Sequence, residues 1–161
     1  MSFVPTATDL QNIFQVSNLV VLPFWALMVL LPNWSGTRQL MRSYIPFAAL
    51  ACLYLYLFVS VDSSIVEAFS DPQLKLDTLA GMFANPHVMA TGWTHFLVMD
   101  LFVGRWVYWQ GQDNGIFTRH SLALCLFAGP LGLLTHFFTA AIVQRFFQPG
   151  DNSTSSEPSA V

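Results

Sequence analysis

Ionisable side chains are scarce along this chain, and five fall where they could do chemistry: His95, Asp100 and Arg105 in one apolar stretch, His120 and His136 in the next. A charged group held in hydrocarbon costs about 2.5–3.5 kcal/mol on insertion scales, so each needs a reason to be there. Asp100 lies between Trp93 and Trp109, near the middle of its stretch. There a carboxyl serves as a general acid or base, or it is neutralised by a partner on another helix and only holds the bundle together. His95 and Arg105 each stand five positions from Asp100. On a helix that is roughly 140° around the axis, so neither makes the i,i+4 contact and the partner of Asp100 must come from elsewhere. Arg105 is suited to pairing with a carboxylate or a ligand oxygen, or to snorkelling toward the interface. An antiparallel hairpin closing near Asp113 would bring Arg105 and His120 to similar depth. His136 shares a face with Gly132, Gly129 and Cys125, which leaves a groove for the close approach of another helix or a flat ligand.

Some chemistry is absent from the pattern. No HxxH, ExxH or CxxC pair occurs, so no metal site is expected, and His87 sits beside Pro86 in what reads as a loop. No nucleophile elbow, phosphate loop or dinucleotide fingerprint occurs either. His95 and His136 could ligate a haem or chlorophyll axially, but on two antiparallel helices their depths would differ by roughly 9 Å. Cys52 and Cys125 stand singly within apolar runs and read as core residues.

The elements that must position these groups are membrane helices. Of 161 residues, 54% are hydrophobic and only 9% charged, far below the ~25% charged residues of soluble domains. Six Lys/Arg against nine Asp/Glu make no basic face, and nucleic-acid binding is not expected. The expected fold is all-α and polytopic, one domain over 1–147 with four transmembrane helices at about 13–31, 44–61, 91–109 and 120–147. Thr8 or Asp9 would cap the first, and Pro23 would kink it; Pro46 opens the second, and Pro130 would bend the fourth. Residues 73–83 read as a short interfacial helix, and 110–115 as a tight turn built on Asn114-Gly115. The polar stretch 148–161 reads as a disordered tail, its Asn152-Ser153-Thr154 triplet a chance match to a glycosylation site.

Arg38, Arg42, Arg105 and Arg119 flank the connections on one side of such a bundle, with Lys75 and Arg145 on the other. The positive-inside rule then places both termini on the lumenal or periplasmic side. No Lys or Arg precedes Arg38, so neither a cleaved signal peptide nor an organelle transit peptide is expected.

Several stretches together carry a resemblance: Trp93-x-His95-Phe96-Leu97 with Asp100 to Arg105, then Arg119-His120-Ser121-Leu122, and Gly129-Pro130-x-Gly132-Leu133-x-x-His136, with Leu22-Pro23-Phe24-Trp25 upstream. Over roughly residues 22–139 the chain resembles the abscisic-acid-deficient-four-like family of plastid and cyanobacterial membrane proteins, linked in plants to making neoxanthin from violaxanthin. The resemblance implies a xanthophyll-related membrane protein of thylakoid or bacterial inner membrane. Its plant reaction opens an epoxide into an allene, an isomerisation that needs an acid, a base and no redox cofactor. Asp100, His95, Arg105, His120 and His136 match the family motif and are the expected catalytic set. His95 or Asp100 would move the proton, while Arg105 and His120 would hold polar groups. Lacking a transit peptide, the chain resembles a cyanobacterial member, for which the plant substrate need not carry over. The expected ligand is a carotenoid or another isoprenoid, with chlorophyll or haem as the lesser cofactor. Two other functions stay open: a pigment-binding or assembly subunit of a photosynthetic complex, and a small transporter or proton relay around Asp100. The expected partners are the lipid bilayer and either a photosynthetic complex or further copies of the chain in a homo-oligomer.

Overall fold

The computed structural model describes residues 4–147. The expectations for 148–161 fall outside that range. Among the described residues eight helices follow one another: α1 (Ala7–Leu30), α2 (Ser35–Arg42), α3 (Ile45–Val59), α4 (Ser63–Phe69), α5 (Leu76–Phe83), α6 (Pro86–Asn114), α7 (Arg119–Phe127) and α8 (Gly129–Phe147). By length and apolarity one of them, α1, is long and apolar enough to cross a membrane, and α2 with α3, bent by 44° where they meet, pass as a pair.

The local reasons for these boundaries are visible in the residues. Thr6, not Thr8, caps α1: its hydroxyl accepts from the Asp9 N–H while the Asp9 carboxylate accepts from the Thr6 N–H, a reciprocal pair that satisfies two orphan donors. Asp62 and Asn85 do the same service for α4 and α6 by accepting from the N–H groups of Ser64 and His87. Pro46 and Pro86 stand in first turns, where a missing N–H costs little. The helix α6 runs on through the stretch expected to be a turn and stops at Gly115, whose φ of 65° is the left-handed geometry glycine tolerates. His87, expected in a loop, lies in the first turn of α6, where its ring bonds the Leu57 carbonyl and the Ser60 hydroxyl at the end of α3.

The long helix α6 is the hub, packed by α1, α3, α7 and α8. Trp93 Nε1 donates to Asn18 Oδ1 near its start, Trp25 seats on Gly104 midway, and the Tyr108 hydroxyl donates to the Pro32 carbonyl near its end, so α1 runs parallel to α6. Contacts of His87 with Leu57, Tyr54 with His95 and Phe47 with Phe102 show α3 running antiparallel to it. Val21, Trp25, Met28, Leu101, Val107 and Tyr108 form the core among these elements.

The expected fourth span over 120–147 is instead two helices folded back on each other. Ala128 is extended (φ −160°, ψ 101°), so the ladder breaks there, and Gly129-Pro130 starts a new helix. Gly132 then lies against Cys125 and the Ser121 carbonyl, and His120 Nε2 meets Thr139 Oγ1 at 2.8 Å, contacts that only an antiparallel pair can make. Because Gly129 touches Asp100 and His136 meets Trp106, α8 runs parallel to α6. A single span would have brought the two ends of the chain together; the fold-back places the start of α1 and the end of α8 at opposite ends of the bundle.

Candidate functional site

The C-terminal half of α3, the short helices α4 and α5, and the first half of α6 enclose a cavity of about 440 Å³. That is within the roughly 300–1,000 Å³ of ordinary ligand sites. Phe58, Phe69, Phe83 and Phe96 give it an aromatic wall, with Phe69 and Phe83 meeting edge to face at 6.2 Å across α4 and α5. Gly92 faces Phe83 so closely that a Cβ would come within 2.9 Å of the ring, so the glycine admits the aromatic wall. Phe58, Phe69 and Phe96 are exposed, and the cavity therefore opens on the flank of the bundle.

Four polar side chains line it: Tyr54, Ser70, Thr91 and His95. Ser70 and Thr91 donate their hydroxyls to the Val66 and His87 carbonyls of their own helices. The Tyr54 and His95 rings stand 5.5 Å apart at 56°, and among the described residues neither the phenol nor the imidazole has a hydrogen-bond partner. Of the sequence-predicted residues, His95 alone lines this cavity.

Asp100 stands apart, half-buried, where its carboxylate accepts from the Gly129 backbone N–H. That N–H begins α8, so the carboxylate satisfies a donor that a helix start leaves open and sits at the positive end of the helix dipole. The partner does come from another helix, but it is backbone.

Arg105 faces a different neighbour. Its Nε donates to the Met41 carbonyl at 2.6 Å, and its guanidinium lies 4.5 Å from the Tyr44 ring and 5.5 Å from that of Phe47. A cation at the last carbonyls of α2 fits that helix's dipole and fixes the bend into α3. Trp109 Nε1 reaches the same carbonyl. Arg105 and His120 therefore do not converge: His120, stacked on Phe117, bonds Thr139 between α7 and α8. His136 is 1% exposed and edge-on to Trp106 at 5.4 Å, and among the described residues its Nδ1 has no partner, nor does the buried Ser121 hydroxyl. Trp106 is eleven residues from His95 along α6, about 16 Å of helical rise, so His95 and His136 cannot be the two axial ligands of one haem or chlorophyll. The expected set is thus spread over a cavity, a helix cap, a helix bend and a buried seam.

Sequence reasoning missed Tyr54 on the cavity wall. Tyr54 lies in an unbroken apolar run, and nothing in the order of residues shows which ring of Tyr54-Leu55-Tyr56 turns toward His95.

A profile of the family described as ABA DEFICIENT 4-like matches residues 12–136. The chain is 36% identical over 151 residues to Protein ABA DEFICIENT 4, chloroplastic, of Arabidopsis thaliana, covering 91% of this chain and 69% of that protein. No solved structure matches.

Proposed function

The chain belongs to the ABA DEFICIENT 4-like family, and on that premise we propose that it is an integral membrane protein of carotenoid metabolism that isomerises an oxygenated carotenoid or related isoprenoid by acid/base chemistry. The observation that carries this reading is the aromatic cavity with an uncommitted imidazole, His95, on its wall. Phenylalanine-lined walls suit a conjugated apolar ligand, and an opening on the flank of a membrane bundle admits it from the lipid. An epoxide-opening isomerisation asks for a proton at oxygen and a proton removed at carbon, and His95 is placed to move one of them.

Charge distribution supports the membrane reading. With the fold-back, Arg38, Arg42, Arg105, Arg119 and Arg145 all belong to the end where α6 and α8 finish, while Lys75 shares the other end with Asp9, Asp62, Glu67, Asp71 and Asp77. By the positive-inside rule the arginine end faces the cytoplasm or stroma and the start of α1 faces the lumen or periplasm. In this arrangement α1, α3 and α6 cross the bilayer, α7 enters from the arginine side, turns at Ala128 at about the depth of Asp100, and α8 returns. The expectation of both termini on one side changes accordingly.

The test is the carotenoid profile of native-host cells with and without the gene. Loss of one xanthophyll with accumulation of its precursor supports the reading and names the substrate. An unchanged profile overturns it.

A further inference from the structure

Resting on that reading, we propose that Tyr54 is the second catalytic group of the site and works with His95 as an acid/base pair on an oxygenated isoprenoid. Four polar side chains line the cavity, and two of them are spent: Ser70 and Thr91 give their hydroxyl protons to carbonyls of their own helices. The phenol of Tyr54 and the ring nitrogens of His95 are left with no partner among the described residues, on two antiparallel helices, with ring centroids 5.5 Å apart. His95 is exposed and Tyr54 half-buried at the mouth of the apolar cavity, so both rings are open to a ligand oxygen or C–H that enters it. A phenol can donate and a neutral imidazole can accept, so the pair offers the two functions that the isomerisation needs, a bond or two apart on the same ligand.

The step balances without any outside reagent. The Tyr54 proton goes to the epoxide oxygen as one C–O bond breaks, leaving a hydroxyl on the other ring carbon. His95 takes the proton from the carbon next to the one that lost oxygen, and that C–H electron pair becomes the new C=C π bond. The imidazolium then returns its proton to the phenolate, so substrate and product are isomers. Asp100, engaged with the start of α8, is not one of the two proton-moving groups, although its charge acts on His95.

Tyr54→Phe is the informative variant because the ring that stacks on Phe58 at 5.8 Å is kept and only the hydroxyl is lost. The experiment expresses wild type, Tyr54→Phe and His95→Gln at equal abundance in native-host cells lacking the gene, reads the carotenoid profile, and extracts the pigment bound to each protein purified in mild detergent. Both variants are expected to form product about 100-fold or more slowly than wild type, as for loss of a general acid or base. Both should still carry the accumulated precursor. Restoration of the normal profile by Tyr54→Phe but not by His95→Gln overturns the pairing and leaves the proposed function standing. Restoration by both variants overturns the site, and a deletion without any carotenoid change overturns the proposed function together with the pair.

Discussion

Replacing Gly132 with alanine tests the fold-back of α7 on α8 more sharply than any other single change. A Cβ at this position would meet Cys125 Sγ, and would stand 2.5 Å from both the Cys125 backbone nitrogen and the Ser121 carbonyl oxygen. Two of the three obstacles are backbone, so no side chain can swing away to make room. Relief requires α7 and α8 to separate by about 1 Å along a buried seam, given ordinary contact distances near 3.5 Å. Overpacking of this kind costs about 1–3 kcal/mol, and rigid obstacles argue for the upper part of that range. At about 2–4 °C per kcal/mol for a chain of this size, the thermal midpoint should fall by roughly 5–10 °C. The control is Gly81→Ala on the exposed helix α5, where a Cβ meets nothing within 4 Å. That change should be neutral or stabilising by up to about 1 kcal/mol, since alanine favours helix. The assay is the thermal midpoint of both variants in detergent, read by circular dichroism. If Gly132→Ala behaves like Gly81→Ala, α7 does not lie against α8 and the re-entrant topology is wrong.

Other expectations follow from single contacts. Asp100→Asn keeps an acceptor for the Gly129 N–H and should be mild, whereas Asp100→Ala removes the cap and should cost about 1–2 kcal/mol in the same melt. Equal losses in the two would remove the capping role. Tyr108→Phe deletes a 2.8 Å bond from a fully buried hydroxyl and strands the Pro32 carbonyl, for about 1–3 kcal/mol, and an unchanged melting midpoint would count against the α1–α6 register. The Ser64 hydroxyl and N–H hold the Asp62 carboxyl below its usual range. A depressed folded value means its contribution to α4 is complete above the ordinary carboxylate value of about 3.9 and is lost as pH falls through the folded value. The protection of α4 amides against hydrogen exchange, corrected for the intrinsic pH dependence of exchange, should thus be constant from neutral pH down to the carboxylate range and drop below it, and should lose that step in Asp62→Asn.

Much of this architecture is legible in the residues. The apolar runs point to α1, α3 and α6, because continuous hydrophobicity is a strong signal, but α1 starts before residue 13 and α6 runs past both 91 and 109, since polar and small residues extend these helices beyond their apolar stretches; the shared face of Cys125, Gly129, Gly132 and His136 announces a close helix approach. What the sequence hides is which helix approaches. Pro130 reads as a bend in a long helix, and only the tertiary contact of Gly132 with Ser121 turns the bend into a reversal. The polar groups show the same limit. Asp100 and Arg105 stand out because charge in an apolar run is expensive, yet backbone N–H and C=O groups satisfy them, and backbone partners leave no trace in residue types. Tyr54 has the opposite fault: a tyrosine among Leu and Phe looks like membrane filler until the fold sets it beside His95.

The most direct test of the cavity as the working site is the pigment profile of cells lacking the gene and carrying either the wild-type protein or His95→Gln at matched abundance. If His95 works in this cavity, wild type restores the missing xanthophyll and His95→Gln leaves its precursor accumulated. Full restoration by His95→Gln would contradict it.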